Sequence, residues 1–330
     1  MPSPTLGRRD VLRFVGLGAS AVAATALGVT ACGDADTPQP PAGTQKRWGA
    51  FIPAVLPAAE GTSSPISQLA DLAGSQPRYL HRFAALGDSA PIGEFDAIVD
   101  AGATPLLTLE PWNPTGGIEQ PLYALSRVAS GVFDGDLQRW GSTLARWGKP
   151  LLFRFAQEMN GTWYPWAVGL NGNTAADYVA AWRHVRQVIS DAGADQVRFV
   201  WAPNVVTLGT NPFVDAFPGR DVVDVIGLDG YNWGDVPGHH WQSPPDLFAD
   251  SLNALEALDA SKKVLITEVA CAEGPTPEPK AAWIRDFCAA VKKDPRIEGF
   301  VWFQMDKERD WRFNTSPQSL AAFRAGVAAL

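Results

Sequence analysis

Two glutamates in this sequence each follow an apolar run of strand-like composition. Glu158 comes soon after residues 151–155 (LLFRF), and Glu268 directly follows residues 264–267 (VLIT). Because helix-covered parallel strands end at the same edge of their sheet, we expect both carboxylates at that edge. Two carboxyl groups facing each other across a cleft can cleave a glycosidic bond, one protonating the departing oxygen and the other attacking or stabilising the anomeric carbon. The sequence therefore predicts a paired acid and nucleophile.

Tryptophan is unusually frequent, with 13 residues in the chain. Those on helical stripes are expected in the core: Trp140, Trp147, Trp182 and Trp283. Those near predicted strand ends are Trp112, Trp163, Trp166, Trp233, Trp241, Trp302 and Trp311. Indole faces pack well against the CH faces of pyranose rings, so this second group predicts a sugar-binding surface, with loop packing as the alternative.

The elements that must position these residues alternate along the chain. Eight strands are predicted, at residues 48–52, 78–83, 104–109, 151–155, 197–201, 222–228, 264–267 and 299–303. Segments with apolar residues at helical spacing separate most of them, such as Tyr178, Trp182 and Val185. Eight βα units predict a (β/α)8 barrel of the TIM type, whose active site lies where strands run into helices. A doubly wound open sheet is the rival, but no Gly-rich phosphate loop follows the first strand.

The N-terminal residues predict export rather than folding. Residues 1–33 combine Arg8-Arg9, an apolar run and Cys32, a pattern typical of a twin-arginine signal ending in a lipidation site. An ordinary cleaved signal and a retained membrane helix are the alternatives. Residues 34–46 are Pro-rich and polar, which predicts a tether, and residues 47–330 form the predicted catalytic domain. We expect a protein anchored by lipid on Cys32 to the outer face of the cell membrane.

Composition argues against several other classes of partner. A formal net charge of -8 disfavours nucleic acid, and the membrane is expected to be contacted only through the lipid. The 4 His show no zinc-binding spacing, so neither metal nor cofactor is expected. A disulfide between Cys271 and Cys288 is chemically permitted but not expected, because a helix carries Cys288 away from the strand end. The expected partner is a polysaccharide, and the expected state is a monomer.

Residues 154–166 (RFAQEMNGTWYPW) resemble the acid/base segment of glycoside hydrolase family 26, retaining endo-glycanases best represented by β-mannanases. The resemblance continues in residues 266–270 (ITEVA), 227–233 (GLDGYNW), Trp302-Phe303 and 310–312 (DWR). It implies that Glu158 is the acid/base and Glu268 the nucleophile. It also implies that Tyr231 hydrogen-bonds the nucleophile and that Trp163 and Trp302 form sugar platforms.

The electrostatic requirements of the two glutamates differ. Glu158 must hold a proton, which apolar rings such as Trp163 and Trp166 favour, whereas Glu268 must stay ionised. Arg154 is interpreted either as a cation beside Glu268 or as a structural ion-pair partner. Asn160 lies in the turn after Glu158. The complete predicted substrate-binding set is Trp112, Arg154, Gln157, Asn160, Trp163, Trp166, Tyr231, Trp233, Trp302 and Trp311.

The chain departs from the family pattern directly before the acid/base, where Gln157 replaces the usual His. Gln can hold a sugar hydroxyl but cannot tune charge, so the substrate preference stays open. β-1,4-Mannan is the first expectation, with mixed-linkage β-glucan or β-1,3-xylan as alternatives. A polysaccharide of the producer's own envelope is another, because an anchored enzyme stays at the cell. A glycan-binding lipoprotein without catalysis is the alternative from another class.

Overall fold

The computed structural model describes residues 45–59, 61–207 and 209–330. The predicted signal segment, Cys32 and most of the predicted tether lie outside the described residues. No helix in the described ranges is long and apolar enough to cross a membrane.

Eight parallel strands close into a barrel in sequence order, with β8 paired to β1. The strands are β1 Arg47–Phe51, β2 Tyr79–Ala85, β3 Thr104–Glu110, β4 Leu151–Phe155, β5 Val197–Trp201, β6 Val225–Asn232, β7 Val264–Cys271 and β8 Ile297–Phe303. Each strand is buried over most of its length, as expected of a parallel sheet covered by helices. The predicted (β/α)8 fold is confirmed.

Helices surround the barrel and connect most of the strands. They are α1 Pro65–Ala73, α2 Ile92–Asp100, α3 Leu125–Ala129, α4 Asp134–Trp147, α5 Ala175–Asp191, α6 Pro244–Leu258, α7 Pro277–Lys293 and α8 Pro317–Ala328. Two short 3-10 helices, Pro121–Tyr123 and Val214–Ala216, lie in loops. Side-chain caps such as Thr174 with Asp177 begin α5, and Gly148 in the left-handed conformation ends α4.

Side chains inside and outside the barrel wall form two apolar layers. Tyr79, Leu106, Leu152, Val200, Val225, Leu265 and Val301 form a separate interior cluster. The larger cluster joins the outer strand faces to the helices and includes the predicted stripe residues Trp140, Trp182 and Trp283. Cys271 and Cys288 are both buried and free.

The two largest errors in the predicted strand ends on the cleft side are in β6 and β7. The strand predicted at 222–228 begins later and continues to Asn232, and the one predicted at 264–267 continues through Glu268 to Cys271. Polar residues belong to these strands because they find partners inside the barrel; Thr267, for example, donates to Asp229 at 2.5 Å. Glu268 therefore lies within a strand and not at its end.

Candidate active site

Glu268 lies inside β7 and is held by two donors from neighbouring strands. Tyr231 on β6 donates its hydroxyl to Oε2 at 2.5 Å, and Arg154 on β4 donates Nη2 to Oε1. The side chain is almost fully buried, and the register between β7 and β8 shifts near it. Both contacts are hydrogen bonds to a charged acceptor, so they stabilise the ionised carboxylate and fix its orientation.

Arg154 is the centre of a fully buried charge cluster. Its Nη1 donates to Asp229 at 2.6 Å, and its Nε donates to Thr108 at 2.7 Å. Burial alone would lower the pKa of Arg154, but Asp229 and Glu268 outweigh burial and raise it. Burial raises the pKa of Asp229 well above its usual value, although Arg154 acts in the opposite direction. The guanidinium thus compensates two carboxyl groups that water cannot reach.

His81 closes this cluster from β2 and is neutral. Burial, followed by the nearby charges of Arg154 and Arg82, lowers the pKa of His81 well below its ordinary value. Its Nε2 lies 2.7 Å from the hydroxyl of Thr108, which already accepts from Arg154. Arg154 Nη2, which can only donate, lies 3.2 Å from the same Nε2, so Nε2 is an acceptor and the Thr108 hydroxyl donates to it.

Glu158 is held differently, in a turn beyond the end of β4. Its backbone is left-handed, with φ of 53°, and its N–H donates to the carbonyl of Ala202 at 2.9 Å. A non-glycine residue in this region is uncommon and costs backbone free energy that the surrounding contacts must offset. The carboxyl accepts from Trp163 Nε1 and from Asn204 Nδ2, both at 2.7 Å. Both donors are neutral.

Gly161 allows this arrangement because its backbone lies directly against Trp163. A Cβ at position 161 would be 2.5 Å from Cζ2 of the Trp163 ring, closer than such atoms can approach. The absence of a side chain lets the indole fold back over the turn and direct its N–H at Glu158.

The two predicted catalytic carboxyls face each other at short range. Oxygen atoms of Glu158, Asp229 and Glu268 all lie within 4.8 Å of one another. This is near the roughly 5 Å between carboxyl groups of retaining glycosidases and well short of the 6.5 Å or more, approximately, of inverting ones. By spacing alone the three oxygens could also hold a cation, but Arg154 already donates to two of the three carboxylates and supplies one positive charge there.

The predicted aromatic residues fall into three groups. Trp163, Trp233 and Trp241 are partly exposed, and one face of Trp233 stacks on His239. Buried beside the site are Trp112, Trp166, Tyr231 and Trp311. Trp302 is not brought to the cleft: its ring packs on Trp283 and Phe323, and its Nε1 donates to the Trp311 carbonyl at 2.9 Å.

The two predicted amide residues are buried around the acid/base turn. Asn160 donates to the carbonyls of Asn204 and Asn211, at 2.9 and 3.0 Å, and accepts from the Asn204 N–H. It therefore positions the amide that contacts Glu158. Gln157 donates Nε2 to Glu110 at 2.8 Å.

A family model described as glycosyl hydrolase family 26 matches residues 126–308, which is more than half of the chain. The chain belongs to glycosyl hydrolase family 26. The matched region contains both glutamates, Arg154 and Tyr231, so the resemblance expected from the sequence is confirmed.

The relatives of this chain are named after different activities. Endoglucanase H from Acetivibrio thermocellus is 33% identical over 240 residues, covering 71% of this chain and 25% of that protein. A mannan endo-1,4-beta-mannosidase from Bacillus subtilis is 30% identical over 114 residues, covering 32% of this chain and 28% of that protein. The matched regions thus span only about a quarter of these two relatives. The catalytic domain of a Bacillus sp. JAMB-750 endo-beta-1,4-mannanase has the same fold, with a TM-score of 0.64, 19% identity, and coverage of 86% of this chain and 85% of that one.

Three polar residues of this family 26 site escaped prediction from the sequence. Glu110 ends β3, Asn204 follows β5, and Asp229 lies within β6. Glu110 had a usable signal, because it closes an apolar run in the same way as Glu268. Asp229 had the same signal, because it directly follows the strand predicted at 222–228. Asn204 had none, since a lone amide in a loop is an ordinary surface feature.

Proposed function

We propose that the protein is a retaining endo-β-glycanase in which Glu158 is the acid/base and Glu268 the nucleophile. The approach of their carboxylate oxygens to within 4.8 Å carries this proposal. At that distance one carboxylate can attack the anomeric carbon while the other protonates the departing oxygen, and no room remains for an attacking water between them.

Glu268 is suited to attack because its charge is stabilised before the substrate arrives. Arg154 and Tyr231 hold the carboxylate with one donor on each oxygen, which fixes its orientation toward the cleft. When the ester to the sugar forms, the charge on Glu268 disappears. Arg154 then remains paired with Asp229, so the guanidinium stays compensated throughout the reaction.

Glu158 is suited to transfer a proton because Trp163 and Asn204, which donate to its carboxyl, are both neutral. Trp163 and Asn204 can donate to either protonation state, since each oxygen keeps a further lone pair. Glu158 gives its proton to the leaving oxygen in the first step and takes one from water in the second. Loss of the charge on Glu268 between the steps favours this change of role.

The substrate we propose first is β-1,4-mannan, as expected from the resemblance and in line with the names of the mannanase relatives. A β-glucan is the second candidate, because the relative named endoglucanase aligns over 71% of the chain. In both cases the indole faces of Trp163 and Trp233 would pack on sugar rings beside the paired carboxyls.

A substrate screen tests the proposal directly. Purified protein is incubated with mannan, mixed-linkage β-glucan, β-1,3-xylan and cell-envelope polysaccharide of the producer, with Glu268→Ala as the control. We expect oligosaccharides from one of these glycans, with none from the variant, and proton NMR of the first product should show the β-anomer. Equal release by both proteins would refute the hydrolase mechanism, and an initial α-anomer would refute retention. Binding without release would instead favour the non-catalytic lipoprotein.

We further propose that the protein is exported and anchored through Cys32. The proposal depends on the sequence of residues 1–33, which ends in the lipidation pattern. Mass spectrometry of the mature N-terminus should find diacylglycerol on Cys32, and Cys32→Ala should release the protein from the membrane fraction. A mature terminus beyond Cys32 would contradict the anchor.

A further inference from the structure

Glu110 forms a polar cluster beside the two glutamates that the double-displacement reaction does not use. It ends β3, next to β4, and its side chain is almost fully buried. Gln157 Nε2 donates to its Oε1 at 2.8 Å, and Trp112 Nε1 donates to its Oε2 at 3.2 Å. Each carboxylate oxygen therefore accepts from one side-chain donor.

The ionised carboxylate is the strongest acceptor for both donors. An amide at this position would set its NH2 group against one of the two donors, and a proton on the carboxyl weakens the hydrogen bond at the oxygen that carries it. The ionised form of Glu110 is thus the one that holds the orientation of the Gln157 amide most firmly.

Gln157 has one atom without a hydrogen-bond partner in the described structure. Its Oε1 is buried and accepts from none of the described residues. A buried acceptor left in this state is costly, and such atoms call for an explanation. Gln157 directly precedes Glu158, and the charge of Glu268 acts on Glu110, so the cluster lies close to both carboxyls. A hydroxyl of a ligand bound at the carboxyls would supply the missing donor.

We propose that Glu110 is a positioning residue that holds the Gln157 amide so that Oε1 accepts a hydrogen bond from a hydroxyl of the bound glycan. The inference rests on the proposed function, because it needs a sugar in the cleft. In this proposal Gln157 recognises a sugar hydroxyl that acts as the donor. Glu110 contributes to substrate binding because it holds Gln157 in place.

The proposal has a pH dependence of defined sign. Burial raises the pKa of Glu110 from 4.5 to about 7; Gln157 and the cations Arg154 and Lys307 oppose the increase, and Glu268 adds to it. Above about pH 7 the carboxylate holds Gln157 in place. As the pH falls below 7, protonation removes the charge that strengthens the hydrogen bond from Gln157, so the amide is held less firmly and this contribution to binding decreases on the acid side.

The test compares Glu110→Gln with wild type between pH 5.5 and 8.5 on a glycan that wild type cleaves. At pH 8.5 we expect kcat/KM to fall about 10- to 100-fold, the effect of one hydrogen bond to a charged group, mostly through KM. At pH 5.5 the two proteins should differ by less than about threefold, because wild-type Glu110 is then protonated as well. Glu119→Gln is the control: Glu119 is exposed in the loop after β3, and its substitution should leave kcat/KM unchanged at every pH.

A second substitution separates positioning from a general loss of structure. Gln157→Leu removes the acceptor, so adding Glu110→Gln to it should cost less than about threefold more, because residues acting through one contact are not additive. Independent, multiplying effects of the two substitutions would refute the proposal. So would a ratio of kcat/KM between wild type and Glu110→Gln that does not change with pH.

If wild type binds a glycan without cleaving it, the same comparisons are made on Kd by calorimetry. If wild type neither cleaves nor binds any glycan, the proposed function fails first and this inference fails with it.

Discussion

The two sides of the cleft hold their carboxyl groups in opposite ways. Glu268 lies on a strand and contacts a cation and a phenol, whereas Glu158 lies in a left-handed turn and contacts an indole and an amide. On the strand side, Glu268 belongs to a charge cluster that extends into the interior of the barrel. The turn side has neutral donors and a backbone conformation supported by the loop around it. Placing identical side chains in these two surroundings gives one a stabilised charge and the other freedom to exchange a proton.

The largest effect on activity is expected when either glutamate is replaced. An activated substrate should then distinguish the two variants. On a natural glycan we expect Glu268→Ala to lower kcat by about four orders of magnitude and Glu158→Ala by about two to four. On a dinitrophenyl glycoside, whose leaving group needs no proton, Glu158→Ala should still release a rapid burst of dinitrophenol and Glu268→Ala none. Stopped-flow absorbance measures the burst, and a burst from Glu268→Ala would reverse the assignment.

The charge cluster on the strand side should dominate stability. Arg154→Met leaves Asp229 and Glu268 without their cation and should lower the free energy of unfolding by about 3–5 kcal/mol. Urea denaturation measures the change. The control is Arg183→Met, which removes an exposed pair with Asp221 and should cost less than about 1 kcal/mol. Equal losses would show that the buried cluster contributes no more than a surface pair.

The phenol on the strand side should affect rate more than stability. Tyr231→Phe removes one hydrogen bond to a charged carboxylate, made at 2.5 Å, and should lower kcat about 10- to 100-fold. Steady-state kinetics and a thermal melt test this, with Tyr123→Phe in a loop after β3 as the matched control. A large drop in the melting temperature with unchanged kcat would assign Tyr231 to packing.

The amide on the turn side should give the smallest effect. Asn204→Ala removes one neutral donor from Glu158 and should lower kcat/KM on a natural glycan about three- to tenfold. The loss should vanish on the dinitrophenyl glycoside, because that substrate does not need the acid for its first step. An equal loss on both substrates would mean that Asn204 acts on binding and not on proton transfer.

The spacing of apolar residues predicted the barrel well, because it indicates directly which residues of a strand or helix are buried. β4 and β5 have the predicted bounds, whereas β6 and β7 extend further, since Asp229 and Glu268 are polar residues satisfied inside the barrel. The contact of Arg154 with Glu268 was one of the two interpretations drawn from the sequence. Its contacts with Asp229 and Thr108 could not be predicted, because these partners come from strands far apart in the chain.

Side-chain direction explains the remaining differences at the site. Successive side chains of a strand point to opposite faces, and Val301 belongs to the interior cluster. Trp302 therefore faces the helices, although Trp302-Phe303 is one of the segments that resemble family 26. The contact between Glu110 and Gln157 could not be predicted either. It joins the ends of adjacent strands that are separated in sequence by the segment containing α3 and α4.

Lys46, just before β1, donates its ammonium group to the carbonyls of Asp294 and Ile297, where β8 begins. The chain thus joins the barrel at the pole opposite the paired glutamates. If Cys32 carries lipid, the anchored segment enters the barrel on the side away from the cleft. Residues 34–46 would then act as a stalk of at most about 45 Å when fully stretched, so long polymers could reach the enzyme without first approaching the bilayer.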